Sequence, residues 1–198
     1  MGRYSGYPLG GTPSLFQVPS FVASQWYHLP SNIAAATNQV GNGVLRLYPL
    51  YLPAVTFTSM NVGISVVGNT GAVFRPTIYA DDGTGKPGNI QIDFGAIDVA
   101  TSTTTTALTG TWSLPSAGLW WCGGVVQNAG TTQPTVYTCA TGASVFPIPA
   151  TWNAAAPTSA ATPSCAYSMS GLTAVAAAPS TFTIGGVAGF APRLIVKT

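Results

Sequence analysis

Val73-Phe74-Arg75-Pro76-Thr77-Ile78-Tyr79-Ala80-Asp81-Asp82-Gly83-Thr84-Gly85-Lys86-Pro87-Gly88-Asn89-Ile90-Gln91-Ile92-Asp93-Phe94 reads as strand, turn, strand. Val73 to Tyr79 is rich in β-branched and aromatic residues. Ala80 to Asn89 then brings Asp, Gly and Pro together, the residues that tolerate tight and left-handed turn geometry. Two apolar runs joined by such a cluster predict a β-hairpin. Beyond it, Ile90, Ile92 and Phe94 alternate with polar neighbours, which predicts one buried face and a register slip at Gly95.

The same grammar extends both ways. Upstream, Met60, Val62, Ile64 and Val66 recur at every second position within Val55 to Val67, a half-buried strand. Val44 to Leu52 is another, and its Pro49 predicts an edge or a bulge. Downstream, Thr101 to Thr106 suits a solvated strand, and Leu114 to Gly118 is a turn. Leu119-Trp120-Trp121-Cys122-Gly123-Gly124-Val125-Val126 is the most apolar run, expected at the centre of a sheet, with the two indoles on opposite sides. Thr135 to Ala140, Cys165 to Met169, Thr181 to Ile184 and Arg193 to Lys197 supply further strands. Thr141 to Pro163 is Pro- and Ala-rich and long for a loop, so a functional or partner-packed segment is expected there.

No stretch keeps a helical period. About nine or ten short strands predict an all-β fold, a jelly-roll-like antiparallel β-sandwich, over residues 29–198. Residues 1–28 read as an extended attachment arm. Their aromatics Tyr4, Tyr7, Phe16, Phe21 and Trp26 are interleaved with Pro and Gly and have no period, so they are expected to bury themselves on another surface.

Composition narrows function. Of 198 residues only 5% are charged, with four Asp, no Glu and one His, so the surface has to be made of Thr, Ser, Asn, Gln and backbone. A net charge of +2 on scattered carriers excludes a phosphate-reading stripe, and no nucleic-acid partner is expected. No run of apolar residues suits a signal peptide or a membrane-spanning helix, so neither export nor membrane insertion is expected. Cys122, Cys139 and Cys165 lack metal-knuckle or redox spacing and read as small buried hydrophobes.

Between Val99 and Pro192 there is no charged or His side chain at all. General acid–base work needs a titratable group within reach of the reacting proton, and that half of the chain offers only Tyr and Cys. Asp81 and Asp82 suit turn formation, with a weak alternative as oxygen ligands for a hard cation. Asp93 and Asp98, five apart on one predicted strand, fall on opposite faces unless Gly95 shifts the phase, which argues against a glycosidase pair. His28 reads as a hydrogen-bonded aromatic at the arm boundary. No catalytic residue, metal or cofactor is expected. Trp112, Phe146 and Trp152 lie outside the strongest strands and are candidate binding-loop aromatics, able to stack on a sugar or anchor a protein interface.

The order "IYADDG", Gly turn, "PG", "DFG", Thr-rich run and "LPSAGLWW" resembles β-sandwich domains of tailed-bacteriophage structural proteins, especially terminal domains of minor tail and tail-fibre proteins. Gly43 to Pro53 is similar to their first strand and Ala191 to Val196 to their last, so the resemblance covers about residues 27–198. It implies a virion component, assembled in the host cytoplasm and usually homotrimeric, that binds other virion proteins and host-envelope glycan rather than catalysing. The short arm argues against a long fibre and leaves a tail-tip, minor tail or short-fibre protein, or a capsid decoration protein. A glycan-acting enzyme built on the four Asp residues is the remaining alternative.

Overall fold

The computed structural model describes residues 21–29, 35–105, 107–139 and 166–198. The arm aromatics Tyr4, Tyr7 and Phe16, the loop aromatics Phe146 and Trp152, and Cys165 lie outside these residues. The described chain is all-β. In order the strands are β1 Trp26–Leu29, β2 Ala35–Gln39, β3 Leu45–Leu52, β4 Val55–Val62, β5 Ile64–Val66, β6 Val73–Asp81 and β7 Pro87–Asp93. They continue with β8 Ile97–Asp98, β9 Leu108–Leu114, β10 Gly118–Gln127, β11 Thr135–Cys139, β12 Ala166–Met169, β13 Gly186–Ala188 and β14 Leu194–Lys197. All named pairings are antiparallel. Among the described residues no helix is long and apolar enough to cross a membrane.

Three sheets form. A seven-stranded sheet runs β13-β12-β3-β10-β6-β7, with β8 also on β6. A four-stranded sheet runs β1-β14-β4-β9, and a three-stranded one β2-β11-β5. The main core joins all three: Tyr48, Phe74, Ile78, Trp120 and Cys122 of the large sheet meet Phe57, Met60, Val62, Val136, Leu194 and Val196 of the smaller ones. This is a β-sandwich. The other face of the large sheet is also covered. Leu45, Leu47, Tyr79, Trp121 and Val125 form a second core with Tyr167 and Phe182, capped by Leu172 and Val187. Both Trp120 and Trp121 are therefore buried, on opposite sides of β10 as the alternation requires.

Strand β10 sits between β3 and β6 at very close approach. A Cβ on Gly123 would stand 1.9 Å from the Arg46 carbonyl oxygen, and one on Gly124 would stand 2.6 Å from that of Arg75. No other residue type fits there without moving a neighbouring strand. The residues 172–185 that cover the second core are tied down by backbone bonds from Ile90 N to Ser180 O and from Phe182 N to Gly88 O. The Tyr79 hydroxyl also donates to Pro179 O at 2.7 Å.

Several expectations are corrected. Val55 to Val67 is two strands, because the chain leaves the four-stranded sheet at Gly63 and joins the three-stranded one. A bulge between Phe57 and Ser59 shifts the phase, so Phe57 and Met60 both point inward, while Val66 is exposed. Another irregularity in the β6–β7 pairing, at Gln91, sends Ile92 into the main core and Ile90 to the second one. Described residues of the Thr run form bends ahead of β9 instead of a strand; Asp98 caps them by accepting from Ala100 N and the Thr101 hydroxyl. Thr181 makes a single bridge to Asn89 in place of a strand. The boundary at residue 28 falls inside β1. Tyr27 and Phe21 both pack on the main core, their rings 4.7 Å apart edge to face, and Phe21 reaches Phe57 at 6.3 Å. Phe21 is thus part of the sandwich, since an aromatic that finds a core in its own chain needs no partner to bury it.

Two sets of variants check this packing. Gly123→Ala is expected to cost about 3 kcal/mol in urea unfolding, against about 1 kcal/mol for Gly85→Ala, whose only strain is its left-handed backbone. Phe21→Ala and Tyr27→Ala should each cost about 2 kcal/mol; unchanged midpoints would put both outside the fold.

Candidate functional site

The four-stranded sheet turns one face to the core and the other outward. On β1, Tyr27 and Leu29 point in, leaving Trp26 and His28 exposed. Trp26 pairs with Lys197 and His28 with Ile195, so these four share the outer face. At one end of the sheet β4 and β14 part company: Val62 still pairs with Leu194, but the next residues hold β11 between them. Tyr137 N donates to Gly63 O at 2.9 Å, and Arg193 N donates to Tyr137 O at 2.9 Å. A fork in the sheet results, with Tyr137 in its crotch.

Gly63 shapes the fork. A Cβ there would lie 2.6 Å from Cδ2 of Tyr137, so the phenol ring can rest on the backbone only because Gly63 has no side chain. The surface between His28, Gly63, Tyr137, Arg193 and Ile195 is a mostly apolar cleft of about 240 Å³. Tyr137 remains 42% exposed and Trp26 47%, a large aromatic surface beside a small cleft. Burial holds the His28 imidazole below its usual pKa, and the charge of Arg193 lowers it further. His28 is therefore neutral near pH 7, with one nitrogen donating and the other accepting. A second, more open hollow of about 400 Å³ lies between Phe21, Pro53, Val55 and Thr198, with no ionisable side chain in its lining.

The acids do other work. Asp81 accepts from Gly83 N at 2.8 Å and from the Trp121 indole at 2.9 Å, and Asp82 accepts from Thr84 N and its hydroxyl at 2.7 Å. Those Thr84 bonds, with Lys86 nearby, hold the Asp82 carboxyl below its usual range. Asp98 is lowered likewise by Ala100 and Thr101. Asp93 binds Arg75 Nη1 with both oxygens, at 2.9 and 3.0 Å, and also accepts from Gly95 N and Ala178 N. Asp93 and Asp98 pair with Thr77 and Val73 of the same strand. Those partners stand four residues apart, about 13 Å along the strand backbone and on one face, so the phase does shift at Gly95 and the two acids are not on opposite faces. Among the described residues no three His, Cys, Asp or Glu side chains gather as a metal site.

Cys122 and Cys139 are buried, and burial drives the Cys122 thiol strongly upward in pKa. Tyr48, also buried and raised well above its usual value, donates to Leu29 O.

The loop aromatic expected at Trp112 is instead on β9, half-buried, its ring 5.0 Å from Phe94 in the core wall. Trp26 is on the exposed face next to the cleft. His28 faces that cleft, where the sequence suggests only a boundary residue. Tyr137, Arg193 and Gly63 carry no local signal, because β1, β11 and β14 are brought together only by sheet pairing; the outward phase of Tyr137 on its strand is the single trace. No protein-family model, curated protein or solved structure matches the chain.

Two outcomes test these assignments. Because the folded pKa of His28 lies below its unfolded value near 6.5, the unfolded state takes up the proton first as pH falls. His28's contribution to stability is thus complete above about pH 6.5 and is lost below it, and His28→Gln should flatten that part of the thermal midpoint profile. Asp93→Ala strands the Arg75 guanidinium, whose side chain is only 12% exposed, and should cost about 3 kcal/mol in urea unfolding. An unchanged midpoint would free Asp93 for another role.

Proposed function

We propose that this chain is a non-enzymatic bacteriophage virion protein of the minor tail, tail-tip or short-fibre kind, which docks through its N-terminal segment and presents a trimeric β-sandwich to the host surface. The observation that carries the binding reading is the division of labour among polar groups. All four carboxylates belong to the seven-stranded sheet and its turns, where they hold backbone amides, an indole or Arg75. Exposed Trp26, His28 and Tyr137 lie elsewhere, at a cleft with no acid in its lining. Aromatic surface with little charge favours contact and stacking, since its burial costs little side-chain entropy. The sandwich architecture agrees with the resemblance in the hairpin and its flanking strands.

Purified host envelope should retain the wild-type protein. Trp26→Ala and Tyr137→Ala should weaken retention several-fold with unchanged thermal midpoints, because both side chains are largely outside the core. Failure of the intact protein to bind envelope, together with a capsid-like copy number in purified particles, would replace host attachment by a decoration role.

A further inference from the structure

We propose that Leu172 to Gly185 is a strap that opens as one unit while the sandwich stays folded, uncovering an aromatic face of the seven-stranded sheet. This motion goes beyond the binding reading above and does not depend on it. Of the residues from Leu172 to Gly185, Phe182 alone is buried. It packs edge to face on Tyr79, with ring centroids 5.8 Å apart. The strap carries no charged side chain. Strand β10, in contrast, is buried along its whole run from Trp120 to Gln127. Little apolar area therefore holds the strap down, and segments of that kind occupy the low end of the local stability range.

Polar bonds do most of the fastening, and they fall at three places. At one end Leu172 N donates to Gly43 O at 3.1 Å and Asn128 N to Thr173 O at 2.8 Å. Over β6 and β7, Ala178 N donates to Asp93 Oδ2 at 2.9 Å and the Tyr79 hydroxyl to Pro179 O at 2.7 Å. There too Ile90 N donates to Ser180 O at 2.8 Å and Phe182 N to Gly88 O at 2.9 Å. At the other end Gly185 N donates to Ser168 O at 2.8 Å. Ala174 to Ala177 lie between the first two places, exposed and outside every one of these bonds. Each bond broken on opening is exchanged for one to water, so its net loss is small. Asp93 is not stranded either, because Arg75 Nη1 and Gly95 N still hold it. Glycine stands at both ends of the strap. Gly171 has a φ of +92° with nothing within 4 Å of a Cβ position, and Gly185 and Gly186 follow Ile184. Such joints absorb a backbone rotation with little strain. Opening bares Tyr79, Trp121 and Val125 of the sheet, together with Tyr167.

Native-state hydrogen exchange of the full chain, followed amide by amide in NMR as urea is raised, tests this. The bonded amides of the strap are those of Leu172, Ala178, Phe182 and Gly185, and Ile90 and Asn128 donate to it from outside. These six should share one protection factor, on the order of a hundredfold or more below that of the β10 amides from Trp121 to Val125. Their exchange should stay nearly flat in low urea, because opening the strap exposes little surface. The β10 amides should accelerate steeply with urea, since they exchange through global unfolding. Phe21→Ala separates the two openings, because Phe21 packs on the main core, across the large sheet from the strap. Its expected loss corresponds to about thirtyfold faster exchange in β10, with the strap amides unchanged. Should that variant fail to fold, the wild-type urea slopes decide. Strap amides that follow the urea slope of β10, that differ among themselves by more than about tenfold in protection, or that accelerate with β10 in Phe21→Ala would each overturn the proposal.

Discussion

Two consecutive glycines set the geometry on which this sandwich depends. Gly123 and Gly124 let β10 lie against the carbonyls of β3 and β6 more closely than any side chain would permit. On either side of that narrow point the strand carries large groups, Trp120 and Cys122 toward one core, Trp121 and Val125 toward the other. A strand buried on both faces has to find cover twice, and the molecule supplies it with different means. Two small sheets cover one face, and a segment from Leu172 to Val187 covers the other, fastened by Asp93, Gly88 and Ile90. Burial of this kind is the dominant favourable contribution to folding, so a chain with few ion pairs loses little by lacking them.

Scarce charge changes what each charged group does. With so few carboxylates, every one is held by several donors, and the one ion pair among the described residues, Arg75 to Asp93, also anchors the covering segment through Ala178 N. Arg46 stacks its guanidinium 4.0 Å above Phe190. The donors around the four Asp side chains keep those carboxylates satisfied in a largely apolar molecule. The outer face of the four-stranded sheet carries Trp26, His28 and Lys197 and none of the four Asp side chains.

Much of the architecture was legible in the amino-acid order. The hairpin from Val73 to Phe94, the central strand around Trp120 and Trp121, and the closing strand at Leu194 to Lys197 all follow from period-two patterning and turn residues. Patterning fails where backbone irregularity intervenes. The bulge after Phe57, the shift at Gln91 and the sheet change at Gly63 each reverse which side of a strand is buried, and none has a unique sequence signature. Phe21 and Tyr27 mislead for a different reason: an aperiodic aromatic segment looks the same whether its own core or another molecule receives it.

The candidate site was far less legible. His28, Gly63, Tyr137 and Arg193 are scattered over the chain, and no spacing rule links them. By itself the sequence determined that the chain is β-rich, nearly uncharged, and built around one strand too apolar to face water. Local alternation and turn chemistry act over a few residues, and that range is enough for those conclusions. Only the tertiary structure decided that β4 and β14 fork around Tyr137, that a missing side chain at Gly63 leaves room for its ring, and that Arg193 and His28 line one cleft. Those are distances between strands remote in sequence, fixed by which edges pair.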